Sequence, residues 1–149
     1  MAASITVRPL RADERAAWEP LWKGYQAFYK VSLPEEANDT AWARLHDPAE
    51  PMHVLGAYVD GRLKGIVHYL FHRSTWSIGD YCYLQDLFVA ADARGLGLGR
   101  ALIEAVYAAA RAAGATRVYW LTHESNATAR KLYDKLADNL GFIQYRKLM

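Results

Sequence analysis

The stretch from Leu84 to Ala110 limits what this 149-residue chain can fold into. Leu84-Gln85-Asp86-Leu87-Phe88-Val89 has the apolar, β-branched and aromatic content of a strand. Ala101 to Ala110 is rich in alanine and suits a helix. Between them, Arg94-Gly95-Leu96-Gly97-Leu98-Gly99-Arg100 sets glycines at alternate positions. A strand, a glycine turn and a helix in that order offer backbone N–H groups to an anion. The first four N–H groups of a helix have no internal partner, and the helix dipole adds partial positive charge there. Gly95, Gly97 and Gly99 keep side chains away from a close ligand and accept positive φ. Arg94 and Arg100 flank the turn with positive charge. The expectation is a seat for a pyrophosphate. No Gly-Lys-Ser/Thr follows, so the turn is not a Walker loop. The G-x-G-x-x-G spacing of dinucleotide folds is also missing.

Composition bounds the rest. Apolar residues make up 52% and charged residues 23%, which fits one globular domain spanning residues 1–149. The 18 basic and 16 acidic residues leave a net charge of +2, too balanced to argue for a nucleic-acid partner. A lone cysteine, Cys82, excludes an internal disulfide and fits a reducing compartment. No apolar run approaches the length of a membrane span. Met1-Ala2-Ala3-Ser4 lacks the basic start of a signal peptide. The expected location is therefore the cytoplasm, with no membrane partner.

Taken in order, the chain reads β-α-α-β-β-β-α-β-α-β. Ile5 to Leu10 is a first strand ended by Pro9. Asp13 can cap a helix to about Tyr29, kinked at Pro20 or starting near it. Glu35 to Leu45 is a second helix. Met52 to Val59 and Leu63 to Phe71 are strands joined by Asp60-Gly61, a strong hairpin signal. Tyr81 to Val89 is the fourth strand. A helix follows the glycine turn to about Ala113, stopped by Gly114. Arg117 to Thr122 is a strand. Ser125 or Asn126 caps a helix ending before Asn139, and Gly141 to Lys147 is a last strand.

Arg94, Gly97 and Gly99 resemble the acetyl-CoA signature (Arg/Gln)-x-x-Gly-x-(Gly/Ala) of the GNAT N-acetyltransferase superfamily. Asn126, Ala129 and Tyr133, followed by Leu140-Gly141-Phe142, look like its second signature. The order of elements is similar as well, so the resemblance spans nearly the whole chain and is nearest the polyamine and histone-type branch. It implies an α/β (α+β) fold. Its mixed, mostly antiparallel sheet is covered by helices on both faces, and its fourth and fifth strands splay around the cofactor. It implies acetyl transfer from acetyl-CoA, as cosubstrate, to a primary amine. A small amine or polyamine is the first choice, and a protein lysine or an aminoglycoside the next. A homodimer is implied too, and no metal. The alternative is a non-catalytic acyl-CoA-binding sensor, motivated by Gln85 where the family often carries a Glu.

The resemblance also assigns roles. The backbone of Leu87, Phe88 and Val89 holds the acetyl carbonyl and the pantetheine amides. Arg94, Gly95, Leu96, Gly97, Leu98, Gly99 and Arg100 wrap the pyrophosphate. Asn126, Ala129 and Arg130 complete the cofactor side, and Tyr133 is the general acid. A phenol with pKa about 10 is a plausible proton donor to a thiolate whose acid has pKa about 8.5. Six residues separate Tyr133 from Leu140, more than in many relatives, which leaves the end of that helix open. A base is also needed, because an alkylamine with pKa about 10.4 arrives as an ammonium. Gln85 cannot take a proton. The order of candidates is Asp86, then a water chain held by Gln85 and Tyr83, then Glu124. Tyr25 and Tyr29, with Trp22 and Phe28, form an aromatic wall suited to a cationic amine. Strict alternation along the fourth strand puts Tyr81, Tyr83, Gln85, Leu87 and Val89 on one side, with Cys82 and Asp86 on the other.

Overall fold

Asp60 and Gly61 turn the chain between β2 (Met52–Val59) and β3 (Arg62–His72). Both sit at positive φ, 49° and 81°, the type I′ geometry whose twist matches that of the strands it joins. In the computed structural model, which describes residues 2–149, this hairpin is the middle of a five-stranded sheet ordered β1-β2-β3-β4-β5. β1 (Ile5–Pro9) lies antiparallel on β2, and β4 (Tyr81–Val89) lies antiparallel on β3. β5 (Arg117–Tyr119) joins β4 in parallel. The sheet is thus mixed and mostly antiparallel, as expected from the order of elements.

Helices cover both faces. α3 (Leu98–Ala112) buries Leu98, Leu102, Ile103, Val106 and Ala110, a helical stripe that packs on Leu55, Val67, Cys82 and Leu84. α1 (Arg15–Phe28) and α2 (Glu35–Leu45) bring Trp18, Leu21, Trp22, Trp42 and Leu45 onto Val54 and Ile66. Val54 and Leu55 are consecutive, as are Ile66 and Val67, so the two helical layers lie on opposite sides of the pleat. α4 (Ala127–Leu136) adds Leu132, Tyr133 and Leu136 to the α3 side.

Some expectations change. α1 runs through Pro20, and Asp13 lies in a 3-10 turn ahead of it, so Glu14 rather than Asp13 stands at the cap position. β5 ends at Tyr119 instead of Thr122. Residues 137–149 form no strand, so the last strand at Gly141 to Lys147 is absent. A strand exists only by pairing with an edge, and this apolar segment pairs with neither β1 nor β5: Phe142, Ile143 and Tyr145 are 90%, 73% and 89% exposed.

Candidate active site

β4 positions the centre of the site, and it carries a bulge. His68 pairs with Asp86 and Tyr69 with Leu84, which leaves Gln85 without a partner on β3. An extra residue breaks the alternation of a strand. Strict alternation is therefore overturned. Cys82 and Leu84 share the α3 side with Leu87 and Val89, while Phe88 packs among the α1 and α2 residues. Cys82 is fully buried there, and burial pushes its thiol up to about 11, which keeps it protonated and inert.

Just ahead of the bulge, a gap opens on the β5 side of the sheet. The parallel pair consists of Tyr81 with Arg117, Cys82 with Val118 and Tyr83 with Tyr119, and then stops. On the other edge, Ala90 N–H donates to Lys64 O at 2.8 Å. Backbone bonding alternates along an antiparallel ladder. Phe88 and Asp86 therefore direct their backbone groups to β3, and Leu87 and Val89 direct theirs away from it, where β5 has diverged. Side-chain patterning cannot reveal this. It follows from the register.

Beyond Val89 the chain reaches the glycine turn. Gly95 and Gly97 sit at φ 83° and 81°, a conformation that costs any residue with a Cβ. Gly97 is the residue before α3, and the first helical bond runs from Ala101 N–H to Gly97 O at 3.1 Å. Leu98, Gly99 and Arg100 thus start the helix with N–H groups that no intrahelical carbonyl meets. Arg94 and Leu96 are exposed beside them. Arg100 pairs with Glu104 at 3.0 Å.

α4 supplies the other wall. Asn126 occupies its cap position without capping it, and donates to Thr122 Oγ1 at 3.5 Å instead. Ala129 and Arg130 follow on the same face, and Arg130 Nη1 donates to the Glu124 carbonyl at 2.9 Å. The Glu124 side chain is exposed in the loop before α4. Tyr133 is half-buried, its ring edge-on to Trp120 at 5.4 Å, just past the point where β5 ends. Burial, with a smaller contribution from Tyr29, raises its phenol above the ordinary value.

The amine side faces α1. A cavity of about 150 Å³ is lined by Trp22, Leu45, Met52, His68, Gln85 and Asp86, among others. Gln85 is exposed at its edge. Tyr25 stacks on Trp22 at 5.4 Å and touches Tyr29 at 5.0 Å. Burial and the neighbouring Asp86 carboxylate both raise the Tyr25 phenol, and the same causes raise Tyr83, which stacks on Tyr119 at 4.9 Å. Tyr25 and Tyr29 therefore link the Asp86 side of the site to the Tyr133 side. His68 of β3 belongs to neither of the sequence signatures. In the structure it is 8% exposed and bonds Asp86 through Nδ1 at 3.0 Å. Among the described residues no group of His, Cys, Asp and Glu converges as a metal site.

Comparison with known proteins bears on this geometry. A family model described as acetyltransferase (GNAT) family matches residues 18–137. The chain is 37% identical over 145 residues to the D-amino-acid N-acetyltransferase of Saccharomyces cerevisiae, over 96% of this chain and 90% of that one. The crystal structure of a ribosomal-protein-alanine N-acetyltransferase from Brucella melitensis biovar Abortus 2308 matches with a TM-score of 0.82 at 22% identity, over 98% of this chain and 99% of that one. An aminoglycoside N-acetyltransferase in complex with CoA gives 0.82 at 19% identity, over 99% and 97%. The two structural matches show a shared fold. The family match and the relative, which both extend across most of the sequence, place this chain in the GNAT acetyltransferase family, whose members use acetyl-CoA as acetyl donor.

Proposed function

We propose that the chain transfers the acetyl group of acetyl-CoA to the primary amine of a small molecule, by direct attack in a ternary complex. The observation that carries this is the opening of the sheet after Tyr83 and Tyr119. It leaves the Leu87 and Val89 backbone unpaired on the side away from β3, while their side chains share a core with Leu98 of α3 and with Tyr133. Acetyl-CoA brings an activated thioester, and the residues present suit it. The N–H groups of Leu98, Gly99 and Arg100 and the side chain of Arg94 would meet its pyrophosphate. Gly95, Leu96 and Gly97 give the backbone its path. Leu87, Phe88 and Val89 would hold the acyl and amide groups, and a backbone N–H there would polarise the carbonyl. Asn126, Ala129 and Arg130 would border it from α4.

Asp86 contacts the ammonium and stands first as proton acceptor, with Gln85 and Tyr83 able to hold a relaying water. Glu124 ranks behind both, since it sits exposed in the loop before α4. Tyr25 and Tyr29 wall the acceptor. Among acceptors, a small amine comes first, amino acids included, because a relative is named for acetylating D-amino acids. Polyamines stand beside them, and protein lysines and aminoglycosides follow. A homodimer in a reducing cytoplasm completes the reading. The apolar, exposed segment from Leu140 to Met149 supports the dimer, and a single buried cysteine supports the compartment.

Tyr133→Phe tests the acid. A general acid contributes roughly 10²- to 10⁴-fold, so kcat falls by about 10²-fold or more while KM for acetyl-CoA holds. Because burial raises the Tyr133 phenol, the wild type keeps this proton through neutral pH and loses rate only when the phenol ionises in strong alkali. The variant lacks that alkaline limb. Full wild-type rate at every pH would refute the assignment.

A further inference from the structure

Trp18, on the sheet-facing side of α1, is fully buried, and its indole N–H donates to His68 Nε2 at 3.0 Å. An indole donates and never accepts. Nε2 must therefore present its lone pair, and the single proton of a neutral ring sits on Nδ1, which faces Asp86 Oδ2 at 3.0 Å. The tautomer is thus decided by the tryptophan. The ring is held from the side as well, with Trp22 edge-on at 4.9 Å and Trp18 at 6.0 Å.

The groups around this pair are otherwise without charge. α2 contributes Ala41 and Leu45 to the cavity, β2 contributes Met52, and β3 contributes Tyr69 and Leu70. Gln85 is neutral, and the Tyr25, Tyr69 and Tyr83 phenols are all raised, chiefly by burial. Asp86 brings the one carboxylate among the described residues that line the cavity. An imidazolium at His68 would satisfy that carboxylate internally. A neutral imidazole donates one hydrogen bond and leaves the negative charge to be met by something else.

We propose that Trp18 and His68 are positioning residues: Trp18 fixes His68 Nε2 as an acceptor, and His68 donates its Nδ1 proton to Asp86, which orients the carboxylate toward the acceptor and leaves its charge to be met by the acceptor's ammonium group. The proposal rests on the reading of Asp86 as the ammonium contact. The ligand class it specifies is a cationic primary amine whose adjoining carbon skeleton is apolar, since a cavity of about 150 Å³ lined by Trp22, Leu45, Met52 and Leu70 is of the size and character that takes a benzene-sized group.

Two kinds of experiment on the full chain decide it. Imidazole ¹⁵N chemical shifts of His68 should show Nδ1 protonated and Nε2 bare at neutral pH, the tautomer that the Trp18 and Asp86 contacts select. In Trp18→Phe the ring is released, and the ¹⁵N shifts should show a mixture of the two tautomers. Kinetics would use the amine turned over fastest among D-phenylalanine, D-methionine, spermidine and a lysine peptide. His68→Leu should raise KM for that amine about tenfold, the scale of losing a hydrogen bond to a charged group, with KM for acetyl-CoA unchanged. His68→Asn, which can place an amide N–H near the Nδ1 position, should restore much of the loss. A doubly protonated or Nε2-protonated His68 in the wild type at neutral pH would overturn the proposal, as would a folded His68→Leu protein with unchanged amine KM. Asp86→Asn separates the layers. If it raises amine KM and the His68 variants do not, this inference alone fails. If it changes nothing, the ammonium contact fails and takes the inference with it.

Discussion

Single residues carry both stability and chemistry in this chain. Glu14 accepts from Arg8 Nη1 at 2.8 Å and from the Tyr58 hydroxyl at 2.7 Å. These partners, Arg8 foremost, hold its carboxyl at about 2, against an ordinary 4.5. A depressed carboxylate stabilises the fold above its unfolded pKa, and that stability fades as pH falls through the folded value. Glu14→Gln should therefore cost on the order of 2 kcal/mol at neutral pH. The gap to the wild type should close between about pH 4.5 and 2, read by urea unfolding at each pH. A constant gap over that range would exclude the ion pair as the cause. That Tyr133 and Asn126 lie on one helix and that the glycines lead into another could be read from the sequence, because each spacing falls within one element. His68 could not be. Its meaning depends on the β3–β4 register, and the Gln85 bulge sets that register across a loop whose length says nothing about pairing. Tyr25 and Asp86 were legible as an aromatic wall and an acid, but their contact was not.

At the scale of elements, the turn before α3 is the most constrained. Gly97 has φ 81°, and a Cβ built there meets nothing within 4 Å. Gly97→Ala thus introduces backbone strain without a clash, about 1 kcal/mol. We expect a several-fold rise in KM for acetyl-CoA with kcat nearly preserved. A kcat loss with unchanged KM would place the turn in some other role. Boundaries set by strong local signals were legible: α2, β2 and β4 run as expected, and Gly114 follows the end of α3 at φ 76°. Elements that depend on distant edges were not. β5 keeps just three residues because its pairing with β4 stops at Tyr83, just ahead of the bulge at Gln85. The C-terminal segment has a strand's composition, yet no edge of its own chain pairs with it. The same divergence that shortens β5 leaves the backbone of Leu87 and Val89 unpaired, so the least legible part of the sheet is also where the candidate site lies.

For the molecule as a whole, the sheet separates two tasks. The α3 side builds a mostly aliphatic core beneath the glycine turn, whereas the α1 and α2 side gathers tryptophans around a small cavity with an acid in its wall. One apolar surface remains unused. Leu140, Phe142, Tyr145 and Leu148 are 77%, 90%, 89% and 78% exposed, which a soluble chain seldom leaves uncovered. Sedimentation should give twice the chain mass at micromolar concentration, and deletion of residues 140–149 should give a monomer. A monomeric full-length chain would remove the dimer. The family and its fold were legible in the sequence because the glycine turn and the order of elements are local facts, whereas the acceptor depends on how separate layers meet. The measurement that tests the central claim most directly is therefore release of free CoA thiol from acetyl-CoA with a panel of D- and L-amino acids, polyamines, aminoglycosides and a lysine peptide. Small amines with apolar skeletons should release thiol fastest, with an N-acetylated product of matching mass. Saturable CoA binding with no thiol released by any amine would contradict acetyl transfer and favour a sensor built on the same fold.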